Sequence, residues 1–204
     1  METMTRASPA KRPSKNREKL LGAARRLFGE AGYAAVGTED VARAAGVTRG
    51  ALYYQFVDKR DLFRAAFVQV LTEAGQEIFD ETMKRVRHDH EDLQVGTQVM
   101  LEIFGRPDVK QIVLMDGPAV LGWTAWREVQ RPFHLALIGH ALQHLVDEGF
   151  IADQPLEPLA DVISGAAMQA ALAIANATNT DEARTVYSAS LMQLLGRLAG
   201  PSNF

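Results

Sequence analysis

A short run of residues between positions 49 and 55 carries side chains that are suited to contacting a nucleic acid. The run RGALYYQ contains a guanidinium, two neighbouring phenols and an amide. Arginine and tyrosine donate hydrogen bonds to phosphates, and arginine and glutamine also pair with base edges in the major groove. These residue types within seven positions favour a DNA-binding surface over a merely solvated helix face.

The residues around this run predict the two helices of a helix-turn-helix. Thr38 is suited to cap a first helix, Gly46 stands where that helix must stop, and Thr48 is suited to cap a second. Leu52 and Phe56 lie about one turn apart in the second helix and are expected to point inward. Two helices joined by a glycine turn also occur in ordinary helical proteins. The exposed residues of the second helix therefore carry the DNA-binding prediction.

A third helix is predicted to complete a small head over residues 16–61. Apolar residues recur at helical spacing over residues 16–31, and Gly32 closes this helix. The stripe that they form is Leu20, Leu21, Ala24, Leu27 and Phe28, and its expected partners are Val41, Ala45, Leu52 and Phe56. Asp58 is suited to cap a long fourth helix over residues 59–87, which would join the head to the rest of the chain.

The region 16–65 resembles the DNA-binding segment of the TetR family of bacterial one-component transcriptional regulators. The matching residues are Thr38, Val41, Ala42, Ala45-Gly46-Val47, Gly50, Leu52-Tyr53-Tyr54, Phe56, Lys59 and Leu62, preceded by Ala23-Ala24, Leu27-Phe28 and Gly32-Tyr33. Gln55 departs from the pattern, because a histidine is frequent there, and this difference can alter which bases are preferred.

This resemblance implies a transcriptional regulator, by default a repressor, that binds a palindromic double-stranded DNA operator as a homodimer. It implies phosphate contacts by Thr38, Thr48, Tyr54 and Lys59, with Arg49, Gly50 and Tyr53 nearest the groove. It also implies release by a small-molecule effector. The alternative is a dimeric helical adaptor that binds protein through the same head, and the salt dependence of binding separates the two.

Charge is distributed unevenly along the chain. Residues 1–61 carry a net charge of +5 and residues 62–204 a net charge of −8, although the whole chain is only at −3. A basic head on an acidic body suits a protein that meets DNA at one end. Residues 1–15 are rich in lysine, arginine, proline and serine, which predicts a flexible basic tail. Such a tail is either simply disordered or an arm that enters the minor groove.

Residues 62–204 are predicted to form an all-helical body, giving an all-α chain of about nine helices, since no segment alternates like a strand. The resemblance implies an effector pocket among the middle helices. The candidate lining residues as a group suggest a hydrophobic or aromatic ligand, although plain core packing is the alternative for each residue. The candidates are Met100, Phe104, Met115, Trp123, Trp126, Phe133, His134 and Met168.

The last two predicted helices, over residues 155–177 and from Thr180 or Asp181 onward, carry broad apolar stripes. The resemblance to the TetR family implies that these helices pair with the same helices of a second subunit. The alternative is that their apolar stripes are buried within their own subunit. The expected interface residues are Val162, Ala166, Ala170, Tyr187, Leu191, Leu194, Leu195 and Leu198.

Several kinds of site and location are not expected. The chain has no cysteine, which excludes disulfides and thiolate metal sites. His140 and His144 lie one turn apart, but no third ligand can be placed beside them, so neither a metal site nor a cofactor is predicted. Nucleotide-binding, zinc-protease and serine-hydrolase motifs are missing, so an enzyme is not expected. We find no apolar run near the roughly 18 residues of a membrane span and no signal peptide, which predicts a cytoplasmic protein without a membrane partner.

Overall fold

The computed structural model describes residues 15–198, and that range is helical with no strand. The helices are α1 (Lys15–Ala35), α2 (Thr38–Ala45), α3 (Arg49–Gln55), α4 (Lys59–Arg85), α5 (Asp92–Phe104), α6 (Pro107–Val109), α7 (Gly117–Leu121), α8 (Trp123–Asp147), α9 (Leu156–Asn176) and α10 (Thr180–Gly196). A 3₁₀ turn (Asp89–Glu91) precedes α5, and a π-helical segment (Lys110–Asp116) joins α6 to α7. The all-α prediction is confirmed. The predicted basic tail lies outside the described residues, apart from Lys15.

Local capping rules explain most helix ends in the head. The Thr48 hydroxyl accepts a hydrogen bond from the backbone N–H of Ala51 at 3.2 Å, and the Asp58 carboxylate accepts one from Asp61 at 2.7 Å. Gly46 takes a φ of 65°, a left-handed conformation that costs other residues energy. The predicted caps Thr48 and Asp58 and the glycine stop are therefore confirmed.

Two predicted caps are wrong by one residue. Gly37 precedes α2, so Thr38 is the first helical residue rather than the cap, and the Asp40 carboxylate accepts from the Gly37 N–H at 3.0 Å. Asn179 caps α10 by accepting from the backbone N–H of Glu182 at 3.3 Å, one residue before Thr180, the nearer of the two predicted caps Thr180 and Asp181. Asparagine and glycine are both good caps, so composition alone did not decide between neighbours.

The head is held together by a core to which α4 also contributes. Leu20 and Phe28 of α1, Val41 of α2 and Leu52 of α3 are each fully buried. The Phe28 ring meets the ring of Phe63, on the second turn of α4, edge to face with centroids 5.4 Å apart. Because α4 continues from this core into the body, the orientation of the head depends on α4.

Hydrogen bonds from two parts of the head fasten it to residues 116–121, which include α7. Arg60, at the start of α4, donates to the carbonyl oxygens of Val120 at 3.0 Å and Leu121 at 2.9 Å. The backbone N–H of Tyr33 donates to the Asp116 carboxylate at 2.7 Å. The end of α1 and the start of α4 are thus both bonded to residues 116–121.

Helix α8 continues through Pro132 as a single helix. It is separated from α7 at Gly122, whose φ is 79°. A proline inside a helix leaves the carbonyl four residues earlier without its donor. That residue is Glu128, which like Pro132 is exposed, so water can satisfy the freed carbonyl.

Helix α9 is, by length and composition only, apolar enough to cross a membrane. It has 21 residues, and its mean hydropathy reaches 1.4 over an 18-residue window. The expectation that no such stretch exists is therefore wrong. In the structure α9 packs between α8 and α10 and buries Ala160, Ile163 and Ala167 against them. Core helices of globular proteins meet the same criterion, so the criterion alone is weak evidence for a membrane span.

Candidate DNA interface and effector cavity

The second helix of the helix-turn-helix, α3, is held against the core of the head by apolar contacts. Leu52 is fully buried and Phe56 is 2% exposed, so both point into the head as the sequence predicted. Arg17 of α1 donates to the carbonyl of Gln55 at 3.3 Å, and its guanidinium lies 4.4 Å from the centroid of the Phe56 ring. Helix α3 is therefore anchored through its buried face and its C-terminal end, and the opposite face is exposed.

The exposed face of α3 carries the two tyrosines. Tyr54 is 86% exposed, with nothing in the head covering it, whereas Tyr53 is 43% exposed. The Tyr53 hydroxyl lies 3.2 Å from the Thr38 hydroxyl of α2, and hydrogen bonds from Thr38 first and Arg49 second lower the pKa of the Tyr53 phenol below its ordinary value. Tyr53 thus joins the two helices, and Tyr54 is free to meet an external partner.

Arg49 and Gly50, at the start of α3, are exposed beside a carboxylate that sequence reasoning left out. Arg49 donates to Glu39 at 2.7 Å, and its guanidinium also lies 5.5 Å from the centroid of the Tyr53 ring. Both charged side chains of this pair are more than 60% exposed. Arg49 is therefore held over α3 by contacts that water can readily replace.

Lys59 begins α4, as predicted, and faces the end of α1. Its ammonium lies 4.0 Å from the centroid of the Tyr33 ring. An ammonium over an aromatic face is attracted by the electrons of the ring, and this contact positions Lys59 without neutralising it. Sequence reasoning did not assign Tyr33 this role, because the contact depends on how α1 meets α4.

The middle helices line three adjoining cavities that are partly open to solvent and share His134. The one between α4, α5 and α8 has about 610 Å³ of unoccupied space including the part open to solvent, and a second, of about 470 Å³ counted in the same way, extends towards α9. The third, of about 420 Å³, opens beside Trp123. Their walls include Met100, Phe104, Phe133, His134 and Met168, together with Trp123 and Trp126. These predicted pocket residues therefore lie together around one region of the body.

Two of the predicted pocket residues, Met115 and Trp126, differ from the rest in where they lie or how they are held. Met115 lies on the π-helical segment and lines none of these three cavities, so the structure gives it no place in the pocket. Trp126 is 1% exposed, and its indole N–H donates to the carbonyl of Val113 at 2.9 Å. Trp126 thus forms a fixed wall, since a buried indole needs that hydrogen bond.

His134 is the polar group common to all three cavities. Its Nε2 atom lies 3.1 Å from a carboxylate oxygen of Asp161, and its side chain is only 16% exposed. Burial lowers the pKa of His134 below the ordinary histidine value, although the hydrogen bond to Asp161 partly opposes this shift. The neutral ring predominates at neutral pH, and it donates to Asp161.

A cluster that the sequence did not predict lies at the far end of the first cavity. Asp92, in the first turn of α5, is 5% exposed and accepts a hydrogen bond from Nδ1 of His144 at 2.7 Å. The His140 and His144 rings have centroids 4.3 Å apart. The third polar group that the sequence could not place beside this histidine pair is therefore Asp92, 52 residues from His144.

At the end of the body, the structure separates the predicted interface residues into two groups. Leu191, Leu195 and Ala170 are 5%, 1% and 6% exposed, so these side chains are packed inside their own subunit and are not available to a partner. The exposed apolar residues of α9 and α10 are Val162, Val186, Tyr187 and Leu194, while Ala166 and Leu198 are partly buried. The exposed apolar surface of α9 and α10 therefore overlaps the predicted interface only in part, because Val162, Tyr187 and Leu194 are exposed whereas Leu191, Leu195 and Ala170 are buried.

This helical arrangement recurs in known regulators. Residues 20–66 match the family described as bacterial regulatory proteins, tetR family, and residues 90–198 match the one described as tetracyclin repressor-like, C-terminal domain. The chain belongs to the TetR family. A TetR-family transcriptional regulator from Pectobacterium atrosepticum has a similar crystal structure, with a TM-score of 0.82 at 30% identity, and the match covers 95% of this chain and 100% of that one.

Two curated relatives of this TetR protein match over shorter segments. The HTH-type transcriptional regulator AcrR of Shigella flexneri is 49% identical over 47 residues, which are 23% of this chain and 22% of AcrR. The HTH-type transcriptional repressor BepR of Brucella suis is 34% identical over 109 residues, which are 49% of this chain and 48% of BepR. The matches thus span less than half the length of either relative. The family and these relatives are DNA-binding transcriptional regulators rather than enzymes.

Proposed function

We propose that this TetR-family protein is a cytoplasmic repressor that binds a palindromic operator as a homodimer and is released by a small hydrophobic or aromatic effector. The observation that carries the proposal is the surface of α3. That helix is anchored by buried Leu52 and Phe56, yet it presents Tyr54 at 86% exposure. The similarity to the repressor BepR supports repression over activation.

The exposed residues of the head have complementary tasks on a DNA duplex. Arg49 is the first residue of α3 and is suited to bind guanine in the major groove. Gly50 has no side chain, so the first turn of α3 can approach the bases closely. Thr48 and Tyr54 are suited to phosphates, and Lys59 adds a positive charge at the N-terminus of α4, where the helix dipole also attracts anions. Thr38 and Tyr53 serve by bonding α2 to α3.

A homodimer supplies the second reading head that a palindrome requires. The apolar side chains of Val162, Val186, Tyr187 and Leu194 remain between 42% and 69% exposed on two packed helices. Such a face favours an isologous four-helix contact with α9 and α10 of a second copy. Twofold symmetry then places the two α3 helices on half-sites about 34 Å apart, one turn of DNA.

The effector is proposed to act by moving α8 against α4. Leu71, Gly75 and Ile78 of α4 line the cavity opposite Phe133 and Leu137 of α8. The approach is close, because a Cβ at Gly75 would lie 3.3 Å from the Phe133 ring. An occupant that spreads these helices displaces α4, whose other end carries Lys59 and the head.

The second path runs through the segment before α8. Residues 116–121 are bonded both to the end of α1 and to Arg60 of α4, and α8 starts immediately after them at Trp123. A shift of α8 is therefore transmitted to the head both through α4 and through residues 116–121. The expected coupling between effector and operator is on the order of 1–3 kcal/mol, typical of two-site regulation.

The test is selection of random duplex DNA on the purified full-length protein at two salt concentrations. We expect a palindrome to be enriched at moderate salt and lost at high salt, because phosphate contacts release counterions. Arg49→Ala should weaken binding to that palindrome by about 1–3 kcal/mol. Arg85→Ala is the matched control, since Arg85 is also an exposed arginine paired with a carboxylate, at the opposite end of α4. No enrichment and no binding at low salt would favour the protein-binding adaptor instead.

A further inference from the structure

The cluster of Asp92, His140 and His144 has the chemistry of a metal site rather than of an ordinary ion pair. One ligand atom from each of the three residues can be chosen so that all lie within 4.8 Å of one another. Two imidazole nitrogens and one carboxylate oxygen are the donor set that zinc and related divalent transition metals use in three-ligand protein sites. We propose that these three residues bind a divalent transition-metal ion of the zinc, cobalt and nickel class.

The histidine spacing places both rings on one face of a rigid helix. His140 and His144 are four residues apart near the end of α8, a spacing that brings side chains together one above the other. The same spacing presents two histidines to zinc in metalloprotease helices. In the structure the two rings stand edge to face with centroids 4.3 Å apart, and one nitrogen of each ring lies within 4.8 Å of a nitrogen of the other.

The third donor comes from a different helix and is desolvated. Asp92 is 5% exposed, and its oxygen lies 2.7 Å from Nδ1 of His144. In the tetrahedral arrangement typical of zinc, two ligand atoms each bonded at about 2.1 Å are about 3.4 Å apart. The hydrogen-bonded oxygen and nitrogen are closer than this, so the two side chains must move apart by roughly 0.7 Å when they share the ion. The ion takes the place of the shared hydrogen, which moves to Nε2 of the ring.

The surroundings favour a cation over a simple buried pair. Within residues 15–198, His140 has no hydrogen-bond partner, so its nitrogen lone pair is available. The Asp92–His144 pair alone would explain those two side chains, but it gives His140 no role. The carboxylate of Asp92 brings a negative charge to the cluster, and a negative charge attracts a divalent ion.

The position of the site links it to the effector cavity. Asp92 and His140 both line the cavity between α4, α5 and α8, together with Ile78, Thr82 and Met100. The hydroxyl of Thr82 is already engaged, since it donates to the carbonyl of Ile78 at 2.6 Å. Three protein ligands leave coordination positions open, and these positions are available to water or to a donor atom of the cavity's occupant. This last step rests on the proposed function, whereas metal binding itself does not.

Metal binding is tested directly on the full-length protein without DNA. After treatment with a chelator and desalting, the protein is titrated with Co²⁺ and followed by visible absorption, and with Zn²⁺ by calorimetry. We expect one ion per subunit, with Co²⁺ bands characteristic of nitrogen and oxygen ligands. His140→Ala should weaken Zn²⁺ affinity by on the order of 100-fold or more, since even residues behind the ligands matter by 10–100-fold.

The variants separate loss of a ligand from loss of the fold. His140 is exposed, so His140→Ala should keep the thermal melting curve of the metal-free protein, while Asp92→Asn tests the buried donor. His88→Ala is the control, because His88 is an exposed histidine outside the cluster and its loss should not change the affinity. Stoichiometric binding that survives His140→Ala and Asp92→Asn, or the absence of any stoichiometric binding, would overturn the proposal. Operator binding by the metal-free protein is scored separately, so that failure of the DNA-binding proposal is distinguishable from failure of this one.

Discussion

Replacing Leu194 with alanine should weaken the proposed homodimer without unfolding the subunit. Leu194 lies on α10 and is 54% exposed in the single subunit. Full burial of a leucine side chain is worth about 1.5–3 kcal/mol, so covering the remaining half contributes about 0.8–1.6 kcal/mol per copy. Because a twofold axis counts each residue twice, the variant should lose about 1.5–3 kcal/mol, which raises the dimer dissociation constant about 10- to 150-fold.

Sedimentation equilibrium over a range of protein concentrations measures this dissociation constant directly. Leu191→Ala is the matched control, because Leu191 is on the same helix but only 5% exposed. Its truncation leaves a cavity inside the subunit and should cost about 2–5 kcal/mol of unfolding free energy, with little effect on dimer dissociation. The opposite pattern, in which Leu191→Ala dissociates the dimer and Leu194→Ala does not, would refute the proposed orientation of the interface. A wild-type protein that is monomeric at all concentrations would refute the interface altogether.

Three further results are expected. Glu39→Gln should tighten operator binding, because it frees Arg49 from an exposed ion pair worth about 0.2–1 kcal/mol and removes a negative charge near the phosphates; a gel-shift titration measures the change. Lowering the pH below about 6.5 should lower the free energy of unfolding. Burial lowers the pKa of His134 in the folded protein, so the unfolded chain takes up the proton more readily. Urea melts of wild type and His134→Asn should show a smaller pH dependence of the unfolding free energy in the variant. Gly117→Ala should cost about 1–3 kcal/mol in urea melts, because its Cβ would lie 2.8 Å from the Trp126 ring.

Two of these results have a matched control variant. Glu30→Gln removes an exposed carboxylate paired with an arginine on α1, and operator affinity should change less than with Glu39→Gln. Gly139→Ala lies on α8 with no atom within 4 Å of its Cβ, so it should stabilise the helix by about 0.5–1 kcal/mol. Weaker operator binding by Glu39→Gln, an unchanged pH dependence in His134→Asn, or equal stability of the two alanine variants would contradict the corresponding reasoning.

The sequence predicted the features of the head that depend on neighbouring residues. Thr48, Asp58 and Gly46 act within four residues of their own position, so residue type and spacing were enough to place these helix ends. The inward-facing Leu52 and Phe56 followed from helical periodicity in the same way. Periodicity also predicted the long helix α4 to within two residues of its observed end at Arg85.

Contacts between distant parts of the chain could not be predicted in this way. Asp116 accepts from Tyr33 across 83 positions, and Asp92 meets His144 across 52, because the packing of several helices brings them together. The stripe on α10 failed for a different reason. Apolar residues occupy both sides of that helix, so composition did not show that Leu195 turns inward while Leu194 turns outward.

The three hydrogen bonds between residues 116–121 and the head bear on how TetR-type regulators can be recombined by protein engineering. A chimera joined after residue 61 would keep Arg60 and Tyr33 but would replace Asp116 and the two carbonyls that Arg60 reaches. Its reading head would lose these hydrogen bonds, and its orientation would depend more strongly on α4. A junction that transplants residues 107–121 together with the head would preserve all three hydrogen bonds. The portable unit of this regulator is therefore discontinuous in sequence, although it is contiguous in space.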